Sequence, residues 1–227
     1  MDKAYLVTGA TGGLGRSVVK ELSGKGQKLV LLGRNEEKLK ELDEETENVI
    51  LCVTYDLENI DNIETIFQEC VSRGIVFKGL IHCAGLNQGM PIKINDVHAM
   101  DRMMRINLYS FVELGKYFCK KKYTVGNSSL IAVSSMAAME NAKGMCMYSA
   151  SKAALNSAVQ TMARELMARK TRVNAVMPGY LEEMMNGEKR FMTDDAMREI
   201  QPLGLIKYSY VAKLITFLVS EDAYFVT

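Results

Sequence analysis

The chain has 227 residues, 48% of them hydrophobic and 24% charged, and its formal net charge is +1. That is enough chain for one larger domain with a sizeable core, and the near-neutral balance gives no field to attract DNA, RNA or an anionic membrane. No apolar run approaches the roughly 18 residues that span a bilayer, and five scattered cysteines with two histidines suit neither a disulfide framework nor a zinc site.

The opening residues MDKAYLVTGA pass directly into a strand-like run without a signal peptide's apolar core or cleavage site, so a cytosolic location is expected. Residues 4–9 (AYLVTG) read as a first strand, and 14–26 as a helix with Leu14, Val18 and Leu22 on one stripe and Gly24 and Gly26 as stops. Residues 28–33 (KLVLLG) form a second strand, followed by a charged helix over 35–42 with Asn35 as its N-cap. A third strand (48–56), a helix (59–71) and a fourth strand ending in glycine (77–85) come next. A long helical stretch over 96–121 ends in Lys120, Lys121 and Lys122, read as a solvated helix end. A fifth strand (128–135), a long helix (148–168) and a sixth strand (171–179) complete the rhythm. Near-continuous apolar strands alternating with helices indicate a parallel sheet covered on both faces. With no linker, repeat or low-complexity segment, residues 1–227 are expected to form a single domain. Residues 180–206 break the pattern and are read as a substrate loop.

Two stretches carry chemistry. TGATGGLG (8–15) lies at the first strand-to-helix junction, where Gly9, Gly13 and Gly15 permit a tight turn and close approach of a pyrophosphate to the helix N-terminus. The second strand ends in Gly33 and Arg34, where an NAD enzyme usually carries an acid for the ribose 2′-hydroxyl. A guanidinium binds a 2′-phosphate bidentately, which favours NADP(H) over NAD(H). Asp56, after the third strand, suits either the adenine amino group or the cap of the next helix. In YSASK (148–152), Tyr148 and Lys152 stand at i and i+4 and share one helix face. Such a pair is either an exposed surface contact or a phenol held beside an ammonium.

Together with HCAG (82–85), MRINLYS (104–110), LIAVSS (130–135), RVNAVMPG (172–179) and QPLG (201–204), in this order, the chain resembles the classical short-chain dehydrogenase/reductase family from residue 3 to its last residue. The resemblance implies an α/β fold, a doubly wound Rossmann-type parallel sheet with strand order 3-2-1-4-5-6. It implies hydride transfer between NADP(H) and a ketone or secondary alcohol, with 3-oxoacyl-(acyl-carrier-protein) reductase as the best-known similar activity. By position it makes Asn107, Ser135, Tyr148 and Lys152 the catalytic set. The cofactor is then expected on Gly9, Thr11, Gly12, Gly13, Leu14 and Gly15, on Arg34, Asp56 and Leu57, on Ala84 and Gly85, and on Pro178, Gly179 and Leu181, with Tyr148 and Lys152 at the nicotinamide end. Lys152 is expected to lower the pKa of Tyr148, Ser135 to donate to the developing alkoxide, and Asn107 to hold a water that links Lys152 to solvent. The partners implied are a small carbonyl or alcohol substrate, carrier-protein-linked in the reductase-like case, and further copies of the chain in a homodimer or homotetramer.

Some positions depart from the family pattern. His82 and Cys83 stand where asparagines are frequent, and His82 is read as structural; Glu183 stands where a threonine commonly meets the cofactor. The closing stretch 202–227 stops where a seventh strand normally follows, through truncation or a shortened edge. Met136, Met139, Met145 and Met147, with Met184, Met185 and Met192, suit an adaptable apolar substrate pocket. A chain simply rich in methionine, as Met100, Met103 and Met104 suggest, is the alternative. Cys146 makes oxidation-sensitive activity conceivable. The rival to an enzyme is a non-catalytic NADP(H)-binding regulatory or scaffold protein, which Glu183 and the missing strand favour and the intact catalytic set opposes. A nucleotide-sugar epimerase is disfavoured by the short length and the glycine spacing.

Overall fold

The protein is described from a computed structural model at residues 1–140, 142–182 and 199–227. Strands β1 (Asp2–Thr8), β2 (Leu29–Gly33), β3 (Val49–Thr54), β4 (Ile75–His82), β5 (Thr124–Val133) and β6 (Arg172–Val176) form one sheet in the order β3-β2-β1-β4-β5-β6. Every pairing is parallel. This is the doubly wound topology, and its strand order reverses between β1 and β4, where a crevice opens beyond the strands' carboxyl ends.

The unbroken apolar strands follow from burial on both faces. Leu6, Val30, Leu32, Leu80 and Leu130 pack on one side with Phe67 of α3 (Glu64–Ser72), Phe111 and Leu114 of α5 (Ser110–Phe118), and Leu155 and Val159 of α7 (Cys146–Leu166). Their neighbours Val7, Leu29, Leu31, Ile81 and Ile131 turn to the other side. There they meet Val18 and Leu22 of α1 (Gly13–Ser23), Leu39 and Leu42 of α2 (Glu36–Glu44), and Val211, Ile215 and Leu218 of α8 (Tyr208–Val219). The period of two along each strand supplies two separate cores. Asn35 caps α2 as expected, its Oδ1 accepting the Lys38 amide at 2.9 Å. Lys120 and Lys122 both pair with Glu64, at 3.1 and 3.3 Å, a solvated arrangement worth little.

The helical stretch expected over 96–121 is not one helix. It comprises α4 (Val97–Met104), a π-turn (Arg105–Tyr109) and α5. The Ser110 amide bonds to the Arg105 carbonyl, the i to i−5 pattern of a π-turn, and Ser110 Oγ donates to the Ile106 carbonyl at 2.8 Å. Such turns concentrate at functional sites because the extra residue redirects a side chain; here Asn107 is turned fully inward. The helix containing YSASK begins at Cys146, two residues before Tyr148.

Among the described residues no seventh strand pairs with β6. Its edge is covered by irregular chain: the Val173 amide donates to Thr227 Oγ1 (3.0 Å) and Asn174 Nδ2 to the Val226 carbonyl (2.9 Å). Arg172 donates to the carbonyls of Leu218 (2.6 Å) and Ser220 (3.0 Å), which fastens the end of α8 to the sheet. No helix among the described residues is long and apolar enough to cross a membrane.

The first core has an aromatic centre. Phe67 is fully buried and packs edge-on against Phe77 with ring centroids 5.6 Å apart, and against Tyr123 at 5.3 Å. Phe67→Ala is expected to cost about 3–5 kcal/mol of unfolding free energy, measured by urea denaturation; a loss below about 1 kcal/mol would mean that this cluster does not carry the core.

Candidate active site

The crevice at the β1/β4 switch point is bounded on one side by the glycine loop. Gly9 has φ +62°, a left-handed conformation open to glycine, and a Cβ there would lie 2.7 Å from the Ala84 amide nitrogen. The loop and the end of β4 therefore touch backbone to backbone. A Cβ on Gly15 would collide with the Gly9 carbonyl, and one on Gly13 with the Tyr208 ring. Helix α1 starts after Gly12 with no side-chain cap and no acid in its first turn. Its amides and positive dipole end thus face the crevice without a competing anion, as a pyrophosphate requires. Thr11 lies against Gly33, and Arg34, one residue on, is exposed.

Helix α7 and the ends of β4 and β5 form the other side. Tyr148 and Lys152 are both buried, so they are not an exposed surface pair. Lys152 Nζ donates to the Val133 carbonyl at 2.8 Å and lies 5.9 Å from the centroid of the Tyr148 ring. The Ser135 hydroxyl stands near enough to Tyr148 to oppose the rise in its pKa and accepts the Ala137 amide at 3.1 Å. Asn107 Oδ1 accepts the Leu86 amide at 2.7 Å, while its Nδ2 donates to the Leu86 carbonyl (3.0 Å) and to Ser151 Oγ (2.9 Å). A Cβ on Gly85 would lie 3.4 Å from both Asn107 Oδ1 and Lys152 Nζ, so the absence of a side chain there keeps the two groups in one space. The four residues singled out by sequence are thus gathered at one end of the crevice. Ser134, the neighbouring serine, turns away and contacts the Lys152 carbonyl at 3.4 Å.

The electrostatics differ from the expectation in one respect. Lys152 does not lower the Tyr148 pKa in the protein alone. Burial pushes the phenol up, and the nearby Ser135 hydroxyl only partly opposes it. The reason is placement: the ammonium spends a hydrogen bond on Val133 rather than on the phenol oxygen, and desolvation disfavours the phenolate. Burial also lowers Lys152 to about 8, the thiol of Cys83 opposing slightly. Cys83 itself is pushed up to about 12, so it is an un-ionised filler.

The remaining expected positions are dispersed along the crevice. Asp56 is exposed and its Oδ1 accepts the Glu58 amide at 3.0 Å, a local turn bond; it does not cap the next helical turn, Ile60–Asn62, which follows Asn59 with no side-chain cap. Leu57 is buried in the core beneath it. Pro178 is tied to the Met136 amide at 3.0 Å, and Leu181 pairs with Ile206 in a single bridge. Sequence reasoning overlooked Gln201, which follows that region in space: its Oε1 accepts the Tyr180 amide (2.9 Å) and its Nε2 donates to the Tyr180 (3.1 Å) and Gly204 (2.6 Å) carbonyls. It also overlooked Ser151, the partner of Asn107, although Ser151 lies within YSASK. Met147 borders a small void with Met90, Met100 and Met103, so two methionines taken as evidence of general richness share its place. Glu183, Met184, Met185, Met192 and most of the expected substrate loop lie outside the described residues. Cys146 is exposed and lines a groove of about 650 Å³ with Pro91, Lys93 and Lys143. Among the described residues no group of His, Cys, Asp and Glu is placed to hold a metal ion.

Comparison with known proteins agrees with the fold. The family model described as short chain dehydrogenase matches residues 3–194. The chain is 30% identical over 232 aligned residues to a 3-oxoacyl-(acyl-carrier-protein) reductase of Rickettsia felis, covering 99% of this chain and 92% of that one. It is 27% identical over 191 residues to an uncharacterized oxidoreductase of Staphylococcus saprophyticus, with 82% of each covered. Among solved structures, a short-chain type dehydrogenase/reductase from Mycobacterium ulcerans superposes with a TM-score of 0.90 at 27% identity, covering 100% of this chain and 86% of that one.

The buried lysine has a measurable consequence. Between pH 8 and its ordinary 10.5, folded Lys152 holds fewer protons than the unfolded chain. Stability therefore rises with pH across that window relative to a variant that cannot titrate. Urea unfolding of the wild type and Lys152→Met at pH 7 and pH 10 is expected to show the difference moving in favour of the wild type at pH 10. A pH-independent difference would mean that the lysine is not desolvated.

Proposed function

This chain belongs to the short chain dehydrogenase family, and from that premise we propose that it is an NADP(H)-dependent oxidoreductase acting on a ketone or secondary alcohol, with a 3-oxoacyl thioester, free or carrier-protein-linked, as the substrate class. The observation that carries the proposal is the convergence of Tyr148, Ser135, Lys152 and Asn107 at one end of a crevice whose other end is an uncapped helix N-terminus.

The crevice fits a dinucleotide phosphate. Gly9, Thr11, Gly12, Gly13, Leu14 and Gly15 would hold the pyrophosphate, since side chains at Gly9, Gly13 and Gly15 would fill the cradle. Arg34, exposed beside Gly33, would meet the 2′-phosphate; Asp56 and Leu57 would flank the adenine. Ala84 and Gly85, with Pro178, Gly179 and Leu181, would border the ribose and nicotinamide. When bound, the reduced cofactor supplies hydride to the carbonyl carbon.

The protein's own residues manage the oxygen. Tyr148 donates the proton that the carbonyl oxygen needs as negative charge develops, and Ser135 shares that oxygen by donating a second hydrogen bond. A raised phenol pKa suits this direction, because Tyr148 stays protonated at neutral pH until the proton is called for. Lys152 stabilises the phenolate left behind once it leaves the Val133 carbonyl for the cofactor ribose and the phenol. Asn107 anchors the relay by which Lys152 recovers a proton from solvent. A cytosolic location and a homodimer or homotetramer accompany the reading.

Two experiments test it. Tyr148→Phe is expected to lower NADPH oxidation with a panel of 3-oxo compounds, including acetoacetyl-coenzyme A, by roughly 100-fold or more, while NADPH binding, followed by nicotinamide fluorescence, is kept. Retained turnover would sink the mechanism. Arg34→Ala is expected to reduce the preference for NADPH over NADH by about tenfold or more; an unchanged preference, or tighter NADH binding by the wild type, would overturn the cofactor assignment without touching the family.

A further inference from the structure

His82 is the residue of HCAG that the family resemblance leaves without a task. It ends β4, is fully buried, and its Nδ1 lies 2.9 Å from Thr8 Oγ1 at the end of β1. Thr8 Oγ1 also accepts the Ala84 amide at 3.4 Å. With that donor in place, the threonine hydroxyl is free to donate its own proton to Nδ1, which puts the imidazole proton on Nε2. Nε2 has no hydrogen bond of good geometry, and its polar neighbour is the carbonyl of Ile106, inside the π-turn. The ring packs on Phe111, the second residue of α5, with centroids 5.6 Å apart. Burial and the positive charge of Lys152 press its pKa down to about 3, so the ring is neutral at neutral pH.

We propose that His82 is a positioning residue for Asn107: one imidazole spans from the strand that starts the glycine loop to the π-turn, and fixes the height at which Asn107 is presented to Leu86 and Ser151. The inference rests on the reading of Asn107 as the anchor of the proton relay. The ring has two arms at different lengths. An asparagine at position 82 would place Oδ1 where Nδ1 stands and keep the Thr8 bond, but it would present nothing to Ile106. A glutamine would reach the Nε2 position and give up the shorter arm. The residue preceding Asn107 is thus the one whose carbonyl the ring addresses, and Phe111 limits how far the ring can tilt.

The test uses the full chain without cofactor first. Amide hydrogen exchange is followed at Leu86, whose N–H is held by Asn107 Oδ1, at 105–109, and at Leu130–Ala132 in β5 as an internal reference. His82→Asn is expected to speed exchange at Leu86 and 105–109 by about tenfold with the reference unchanged, and His82→Gln to restore most of the protection. Thr8→Val cuts the same connection from the other end and is expected to behave like His82→Asn, which keeps the test informative if one variant folds poorly. In kinetics with acetoacetyl-coenzyme A, His82→Asn is expected to lower kcat about tenfold with the NADPH Kd changed by less than about twofold, and to have no further effect in an Asn107→Ala background. Unchanged exchange at Leu86, or effects of His82→Asn and Asn107→Ala that multiply, would overturn the proposal. An Asn107→Ala enzyme with wild-type kcat would instead remove the relay reading, whereas the exchange measurement decides the positioning role by itself.

Discussion

Burial of a parallel sheet on both faces is the constraint from which the other features follow. Every strand interior must be apolar in both directions, as Leu6 with Val7 and Leu130 with Ile131 show. Polar side chains are few within the strands, Lys78 of β4 and Ser129 of β5 among them, and the strand-order reversal between β1 and β4 opens a crevice at the strands' carboxyl ends. Thr8, His82, Val133 and Ser135 all stand at or just beyond strand termini on that side. The proposed chemistry sits where the sheet's own packing rules allow polar groups to gather.

Within that crevice, hydrogen bonding and desolvation compete for the same groups. Lys152 gives its ammonium to a backbone carbonyl, and Tyr148 is left to burial and to Ser135. The lysine is lowered from its ordinary 10.5 to about 8 and the tyrosine is raised from its ordinary 10.0, so two acidities that start close are drawn apart before any ligand adds its charge. The phenol therefore keeps its proton until charge develops on an oxygen beside it, while the lysine is the member of the pair that titrates nearer neutral pH.

Much of this was legible in the residues. The six strands, their alternation with helices and the two-faced burial follow from apolar runs punctuated by glycine, and Asn35 announced its own cap. Tyr148 and Lys152 were visible because helical spacing leaves no freedom in which side chains share a face. The π-turn was not visible: one extra residue in a turn leaves no trace in a 3.6-residue pattern, and only Asn107 inside it and Ser110 just after it hint that the ladder is interrupted. The direction of the Tyr148 shift was missed because spacing gives proximity, not partners, and nothing local reveals that Val133 claims the ammonium. Gln201 stood in the sequence only as the first residue of QPLG; its hold on the Tyr180 backbone was hidden because those partners lie 21 positions away.

Helix α8 closes the second core, and Arg172 fastens its last turn to β6. Its apolar face is what covers Val18 and Leu22 of α1, almost two hundred positions earlier in the chain. A ribosome adding ~5–20 residues per second delivers α8 some ~10–40 s after α1 emerges. Through that interval the nascent chain carries an uncovered aliphatic face on its first helix and first two strands, and the half-sheet it has built can be held but not sealed. Sealing of the second core thus waits for a segment far along the chain from the strands and helix it covers.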